Sequence, residues 1–240
     1  MFWRGVWGYL PANIVQGLVG FLAIVLFTRL LSPADFGRYA LAFSVLTLAH
    51  VAVFSWLEAA MARFWASGKP GSDLAGHFAS LYRAAIWLSL GFIPVVGLVL
   101  WLWPADPLLK FALAAGLAGC PVRSFVKLAQ ERYRAAGEVS KAANLDMSVA
   151  VGGLAIGVAF ALVGAGGAAP LLGLALAPLA ALPFILPGEL RQARGGTAER
   201  ERLRAYAVYG YPIAASLALT VVLASTDRFL LAVYMDEAAV

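Results

Sequence analysis

Two basic side chains, Arg123 and Lys127, interrupt an apolar part of the chain. They are four residues apart, so an α-helix places them on one face, which Arg134 continues. A charge near the centre of a membrane helix costs about 2.5 to 3.5 kcal/mol, so it usually faces a cavity or a partner. Guanidinium groups bind phosphate oxygens in a bidentate way. The two residues therefore predict a cationic cavity for a phosphate-bearing group, with snorkelling to the membrane surface as the alternative.

Two further arginines, Arg63 and Arg228, are candidates for the same cationic cavity. Arg228 directly follows Asp227, which falls on one helix face with Ser216 and Thr220. A polar face of this kind suits a path through a membrane, and Asp227 is a candidate for proton coupling. The alternative is that Asp227 and Arg228 lie at the outer membrane interface.

His50 and Glu58 are the other candidates for proton coupling. They are eight residues apart, which places them within about 80° of each other around a helix. Both side chains take up and release protons, so they suit coupling to a proton gradient. The structural alternatives are that His50 donates a hydrogen bond between helices and that Glu58 pairs with Arg63 or Arg4 near the membrane surface.

Motifs of catalysis and of metal binding are missing from the sequence. Gly68 and Lys69 lack the upstream glycine of a phosphate-binding loop. No His and Cys residues have the spacing of a metal site, and no Ser-His-Asp set is recognisable. We therefore expect no catalytic residue, no metal, no cofactor and no enzymatic activity.

Long uncharged runs must hold the candidate residues in membrane-spanning helices. The runs reach the length of about 20 residues that an α-helix needs to cross a bilayer. They predict spans near 10–31, 37–57 and 84–103, two more near 148–163 and 170–186 from one run that folds back, and one that begins close to Tyr206. A further span is predicted near 108–129, although it contains Arg123 and Lys127 and is uncharged only over 111–122. A hydrophobic fraction of 62% with only 13% charged residues fits a lipid-embedded chain. The expected fold is an all-α, polytopic transmembrane helix bundle of about seven spans.

Most of the 18 Lys and Arg residues fall in the connections at one end of these spans. The positive-inside rule assigns that end to the cytoplasm. The N-terminus is therefore predicted to be cytoplasmic, in a multi-pass protein of the bacterial cytoplasmic membrane that contacts membrane lipids. The net charge of +5 is explained by this distribution, so nucleic acid is not an expected partner.

A weak internal repeat predicts the domain organisation. The segment 8–12, Gly-Tyr-Leu-Pro-Ala, opens the first span, and the segment 210–214, Gly-Tyr-Pro-Ile-Ala, opens the seventh. Six spans separate the two starts, which indicates parallel repeats. We predict a six-helix lobe over 1–188, a solvated cytoplasmic linker over 189–205 that contains Glu189, and the first helix of a second, truncated lobe over 206–240. Asp146 is expected at the start of the fifth span, where the helix dipole favours an acid.

Two stretches resemble a known family. Residues 31–39, Leu-Ser-Pro-Ala-Asp-Phe-Gly-Arg-Tyr, look like the outer turn after the first helix of polysaccharide flippases in the multidrug/oligosaccharidyl-lipid/polysaccharide exporter superfamily. Residues 209–213, 226–228 and 236–240 are similar to their seventh helix and the approach to a second such turn. The sequence ends before the Gly-x-Tyr of that turn, so the chain resembles an N-terminal portion.

The resemblance implies a function and its partners. Members have two lobes around a central cavity and move polyprenyl-pyrophosphate-linked oligosaccharide across the cytoplasmic membrane by alternating access. The implied partners are the lipid-linked oligosaccharide and other proteins of polysaccharide assembly. The alternatives are a multidrug or peptidoglycan-precursor exporter of the same superfamily, a membrane enzyme of polysaccharide assembly whose catalytic part is missing, and a scaffold that does not transport.

Overall fold

A computed structural model describes the backbone of residues 2–65 and 73–234, and the side chains of 10–65, 73–228 and 230. These residues form seven α-helices and no β-strand. The helices are α1 (Phe2–Leu30), α2 (Pro33–Arg63), α3 (Leu74–Leu102), α4 (Pro107–Ala135), α5 (Val139–Leu162), α6 (Ala169–Gln192) and α7 (Arg200–Tyr234). A 3-10 turn, Gly166–Ala168, joins α5 to α6.

All seven helices contain a stretch long and apolar enough to cross a membrane. The predicted all-α bundle of about seven spans is thereby confirmed. Several helices extend beyond their uncharged runs; α3, for example, begins at Leu74, and its first turns bury Phe78 and Tyr82 in the core. Because the uncharged runs exclude helical turns that carry a charged residue such as Arg83, they underestimate the helix lengths.

The centre of the bundle consists of α2, α4 and α6, which bury more of their apolar windows than the other helices. Small residues let these helices approach closely: a Cβ atom at Gly173 of α6 would lie on the backbone of Gly153 and Gly157 in α5, and one at Gly119 would clash with Ala175. In contrast, α1, α3 and α7 expose large apolar side chains, which suits helices that face lipid.

The segment 31–39, on which the family resemblance depends, builds the turn between α1 and α2. Ser32 caps α2, because its hydroxyl accepts a hydrogen bond from the Asp35 N–H at 3.2 Å. The Asp35 carboxylate in turn accepts one from the Gly167 N–H at 3.3 Å. Arg38 lies 3.1 Å from Asp35 and 3.3 Å from Asp106, the N-cap residue of α4. The segment therefore ties three helix starts together at one end of the bundle.

At the opposite end, α7 packs against α2 and α3. Gly210 contacts the backbone of Trp56 so closely that a Cβ atom there would lie 2.6 Å from the Trp56 carbonyl oxygen, and Tyr211 stacks on the Trp56 ring at 5.2 Å. Arg202 forms an ion pair with Asp73 at 2.9 Å. The assignment of 206–240 to a second lobe stays a prediction, and its repeat motif at 236–240 lies outside the described residues.

The predicted linker is mostly helical. α6 continues to Gln192 and α7 starts at Arg200, which leaves only 193–199 between them. The prediction of a solvated position is wrong for Glu189, whose side chain is 1% exposed. Glu189 accepts hydrogen bonds from Arg132 at 2.7 Å and from Tyr82 at 3.2 Å. Its charge is stabilised by these partners and not by water, which the sequence pattern of alternating Glu and Arg did not reveal.

Candidate functional site

A cavity of about 340 Å³ opens inside the bundle, between α1, α2, α4, α5 and α6. Both predicted cationic residues, Arg123 and Lys127, line it from α4. The sequence placed the cationic cavity between two lobes, whereas this cavity lies within the six-helix body. Its walls are otherwise largely apolar and include the aromatic rings of Phe27, Tyr39 and Phe43.

Arg123 is the cation of the cavity that lacks a close partner. Its half-buried side chain makes no hydrogen bond and no ion pair with any side chain that the structure describes. Arg123 lies about 24 Å along α4 from Pro107, roughly half-way through the 29-residue helix. A guanidinium at that depth costs free energy when it has no ion-pair partner. An anion bound in the cavity would lower that cost.

Lys127, in contrast, has a protein counter-charge. Its ammonium nitrogen lies 3.8 Å from the Asp146 carboxylate, which also pairs with Arg134 at 2.7 Å. Arg134 continues to Glu131 at 2.6 Å. The expectation for Asp146 is wrong, because α5 begins at Val139 and places this residue two turns inside the helix, where it is buried against α4.

His50 and Glu58 contact each other directly. The His50 Nε2 and Glu58 Oε1 atoms are 2.8 Å apart across two turns of α2. Among the described side chains, His50 makes no hydrogen bond to another helix and Glu58 makes no pair with Arg63. The side chain of Arg4, the other alternative partner of Glu58, lies outside the described residues. Arg123 and Lys127 are near enough to act electrostatically on the Glu58 carboxylate. Glu58, the partner of His50, therefore lies within electrostatic range of the two cations of α4.

The remaining candidate residues lie elsewhere. The Arg63 guanidinium carbon lies 5.9 Å from the centroid of the Tyr209 ring, and this contact connects α2 to α7. Arg228 donates a hydrogen bond to the Ser44 hydroxyl at 3.1 Å. Asp227 is exposed on α7 and does not line the cavity. The structure thus groups Arg123, Lys127, His50 and Glu58, but it does not bring Arg63, Arg228 or Asp227 to them.

Two amides belong to the cavity that sequence reasoning did not single out. Gln130 is 2% exposed, and its Oε1 atom has no hydrogen-bond partner among the described residues. Gln16 reaches the cavity from α1. Gln130 was detectable from spacing, because residues 123, 127, 130 and 134 form one stripe on a helix. Gln16 had no such signal, since only the packing of α1 against α5 places it there.

The cavity can therefore hold an anionic and hydroxylated ligand. Arg123 supplies free donors for an anion, and the glutamine amides supply a donor and an acceptor for hydroxyl groups. Within the part of the chain that the structure describes, no group of three or more His, Cys, Asp or Glu side chains could hold a metal ion.

Comparison with known proteins gave one family and one structure. The model of a protein family described as "Polysaccharide biosynthesis protein" matches residues 26–240. The solved structure of a complex of the MATE multidrug transporter DinF-BH is similar in fold, with a TM-score of 0.66 and 15% sequence identity. The similarity covers 95% of this chain and 55% of that transporter, so the chain spans about half of the transporter's length. A comparison with curated proteins found no match.

Proposed function

The chain belongs to the polysaccharide biosynthesis protein family, and on that premise we propose that it is an exporter of lipid-linked oligosaccharide. The substrate is polyprenyl-pyrophosphate-linked oligosaccharide, which crosses the bacterial cytoplasmic membrane by alternating access for surface polysaccharide biosynthesis. The family match confirms the resemblance drawn from residues 31–39 at the level of the family. Beyond family membership, we propose the identity of the substrate, the direction of its transport and the membrane that it crosses.

The observation that carries the proposal is Arg123, which lines the cavity and forms no ion pair or hydrogen bond with any side chain that the structure describes. A buried cation normally has a counter-ion in the protein, as Lys127 has in Asp146. A diphosphate provides the anionic oxygens that Arg123 lacks, and a guanidinium binds such oxygens in a bidentate way. Lys127 adds a second positive charge one helical turn away. An uncharged substrate would leave Arg123 without an ion-pair partner at close range.

The rest of the cavity suits the groups attached to the diphosphate. Gln16 and Gln130 offer amide groups for the hydroxyls of the first sugar. Phe27, Tyr39 and Phe43 form a wall of rings with centroids about 6 Å apart, against which a sugar or an isoprenoid unit can pack. The polyprenyl tail remains in the bilayer, since the exposed apolar faces of α1, α3 and α7 already require lipid contact.

The pair of Glu58 and His50 makes diphosphate binding depend on pH in this proposal. Glu58 is negative when deprotonated and lies in the field of Arg123 and Lys127. Protonation of Glu58 removes a negative charge that competes with the substrate for those cations. Proton uptake and diphosphate binding therefore favour each other, and by linkage each raises the affinity for the other.

A multidrug exporter is the second candidate, because the similar solved structure is described as that of a MATE multidrug transporter. The two candidates make different demands on the cavity. A diphosphate substrate needs the positive charge of Arg123, whereas drug export does not require an anion site. The dependence of transport on that charge therefore separates them.

The test is complementation of a strain that lacks this protein. Arg123→Ala should abolish surface polysaccharide and cause lipid-linked oligosaccharide to accumulate on the cytoplasmic side, while the amount of protein in the membrane is unchanged. Lys110→Ala is the matched control, since it removes a positive charge from the first turn of the same helix, outside the cavity. Normal polysaccharide in the Arg123→Ala strain would overturn the proposal. Drug resistance lost with normal polysaccharide would favour the multidrug exporter.

A further inference from the structure

The outer face of α6 carries a groove that the proposed transport site does not use. Its volume is about 510 Å³. Apolar side chains border it at intervals of three and four residues, which makes them one stripe of the helix. They are Leu179, Leu182, Pro183, Leu186, Pro187 and Leu190. Arg191 and Arg194 continue the same stripe and close the groove at the end of the helix.

The two arginines at the end of the groove are available to an external anion. Both side chains are solvent-accessible, and neither has an ion pair or a hydrogen bond with the side chains described at 10–65, 73–228 and 230. Glu189, the one acid within α6, is buried on the other side of the helix and is occupied by Arg132 and Tyr82. Glu199, which follows in the connection to α7, pairs with Arg202 at 3.2 Å. No carboxylate of the helix therefore neutralises Arg191 and Arg194.

The length of the apolar stripe matches one leaflet of a bilayer. From Leu179 to Leu190 the helix rises about 16 Å, which is close to half of a hydrocarbon core of about 30 Å. Phe184, which is 89% exposed, adds apolar surface beside the stripe. An acyl chain that starts at the arginines would reach roughly the middle of the membrane.

The compact residues of this segment explain the groove. Pro183 and Pro187 place short rings between the longer leucine side chains, and each removes one helical hydrogen bond. A Cβ atom at the neighbouring Gly188 would meet nothing within 4 Å, so the surface there is open. The stripe is therefore indented where the surrounding leucines project.

We propose that this groove binds one phospholipid with an anionic head group. The phosphate lies between Arg191 and Arg194, and one acyl chain follows the apolar stripe toward Leu179. The combination of two unneutralised cations with an apolar groove one leaflet long fits this ligand, because a basic site at the membrane surface attracts anionic lipids. The site is separate from the cavity of Arg123 and does not depend on the transported substrate.

The test uses the purified chain in detergent, with native mass spectrometry to count bound lipid. Phosphatidylglycerol should bind in preference to phosphatidylcholine with the same acyl chains. The double variant Arg191→Gln/Arg194→Gln should weaken phosphatidylglycerol binding by about thirtyfold and leave phosphatidylcholine binding unchanged. The matched control is Arg200→Gln/Arg204→Gln, which removes two exposed arginines at the start of α7, away from the groove, and should bind as the unmodified chain does.

Two further measurements examine the apolar part of the site. Leu190→Trp should fill the groove without a change of charge and should weaken phosphatidylglycerol binding. Glycerol 3-phosphate, which lacks acyl chains, should not compete. Equal losses in the two double variants would indicate diffuse surface charge, and competition by glycerol 3-phosphate a soluble phosphate site. A dimer that Leu190→Trp disrupts would assign the groove to a second copy of the chain. Each of these results would overturn the proposal.

Discussion

Arg123 and Arg132 lie nine residues apart on α4 and differ in what surrounds them. Arg132 donates to Glu189 through Nε at 3.1 Å and through a terminal nitrogen at 2.7 Å, and it stacks on the Tyr133 ring at 4.1 Å. Arg123 has no comparable partner among the described residues. The contrast indicates that a charge inside this bundle serves the structure when protein groups neutralise it and is open to a ligand when they do not.

The largest effect should come from breaking the neutralised pair. Arg132→Met leaves the Glu189 carboxylate buried without its cation, and the loss of one partner of a buried pair costs about 3 to 5 kcal/mol. We expect the free energy of unfolding in detergent to fall by that amount. The double variant Arg132→Met/Glu189→Met should recover much of the loss, because it removes both charges. A single variant as stable as the unmodified chain would refute the structural role of the pair.

The opposite result is expected at Arg123. Arg123→Met removes a charge that is costly inside a membrane helix and that no described protein group neutralises at close range, so the free energy of unfolding should not decrease. Binding of a polyprenyl diphosphate should weaken about ten- to a hundredfold, since a hydrogen bond to a charged group is worth about 1.5 to 3 kcal/mol. Lys110→Met is the control for binding. Strong destabilisation with unchanged binding would show that Arg123 resembles Arg132.

Glu58 is an intermediate case, because its carboxylate has a close partner in His50 and also acts electrostatically on Arg123 and Lys127. Glu58→Gln keeps a polar group 2.8 Å from His50 but removes the negative charge near Arg123 and Lys127. Binding of the same diphosphate should strengthen about two- to fivefold, on the scale of a partly screened charge pair. Transport should also lose part of its dependence on pH. Weaker binding in this variant would contradict the competition between Glu58 and the substrate.

The smallest effect should come from the partly exposed pair of Asp73 and Arg202. The Gly76 N–H and the Arg202 side chain donate hydrogen bonds to Asp73 and lower the pKa of its carboxyl below the usual value. A lowered pKa in the folded state contributes stability above the unfolded-state pKa of about 3.9, and this contribution is lost as the pH falls through the folded-state value.

Asp73→Asn should therefore cause a small decrease in Tm at pH 7. The difference in Tm from the unmodified chain should shrink as the pH is lowered toward about 3, through the range in which the carboxyl takes up its proton. A difference that grows on acidification would contradict the charge pair as its cause. Glu201→Gln, on an exposed acid in the same region without a described partner, is the control for a change of surface charge.

The positions of the helices could be predicted from the sequence more reliably than the contacts of the charged side chains. Uncharged runs were sufficient to find six of the seven spans, because the bilayer requires a minimum length of apolar helix whatever the helices pack against. The shared face of Arg123 and Lys127 also followed from the sequence, since helical geometry is local. The burial of Glu189 did not follow, because its partners Arg132 and Tyr82 are distant from it in the chain.

By itself the sequence determined the class of fold, the spans and the presence of charges that a membrane would not tolerate without compensation. Only the tertiary structure decided which charges are compensated, because ion pairs such as Arg132 with Glu189 and Lys127 with Asp146 join different helices. Hydropathy depends on residue type and order along the chain, whereas neutralisation depends on distances of a few ångströms between helices. The sequence therefore shows that Arg123 is a charge inside an apolar helix. Only the structure shows that it lines a cavity without an ion-pair partner among the described side chains.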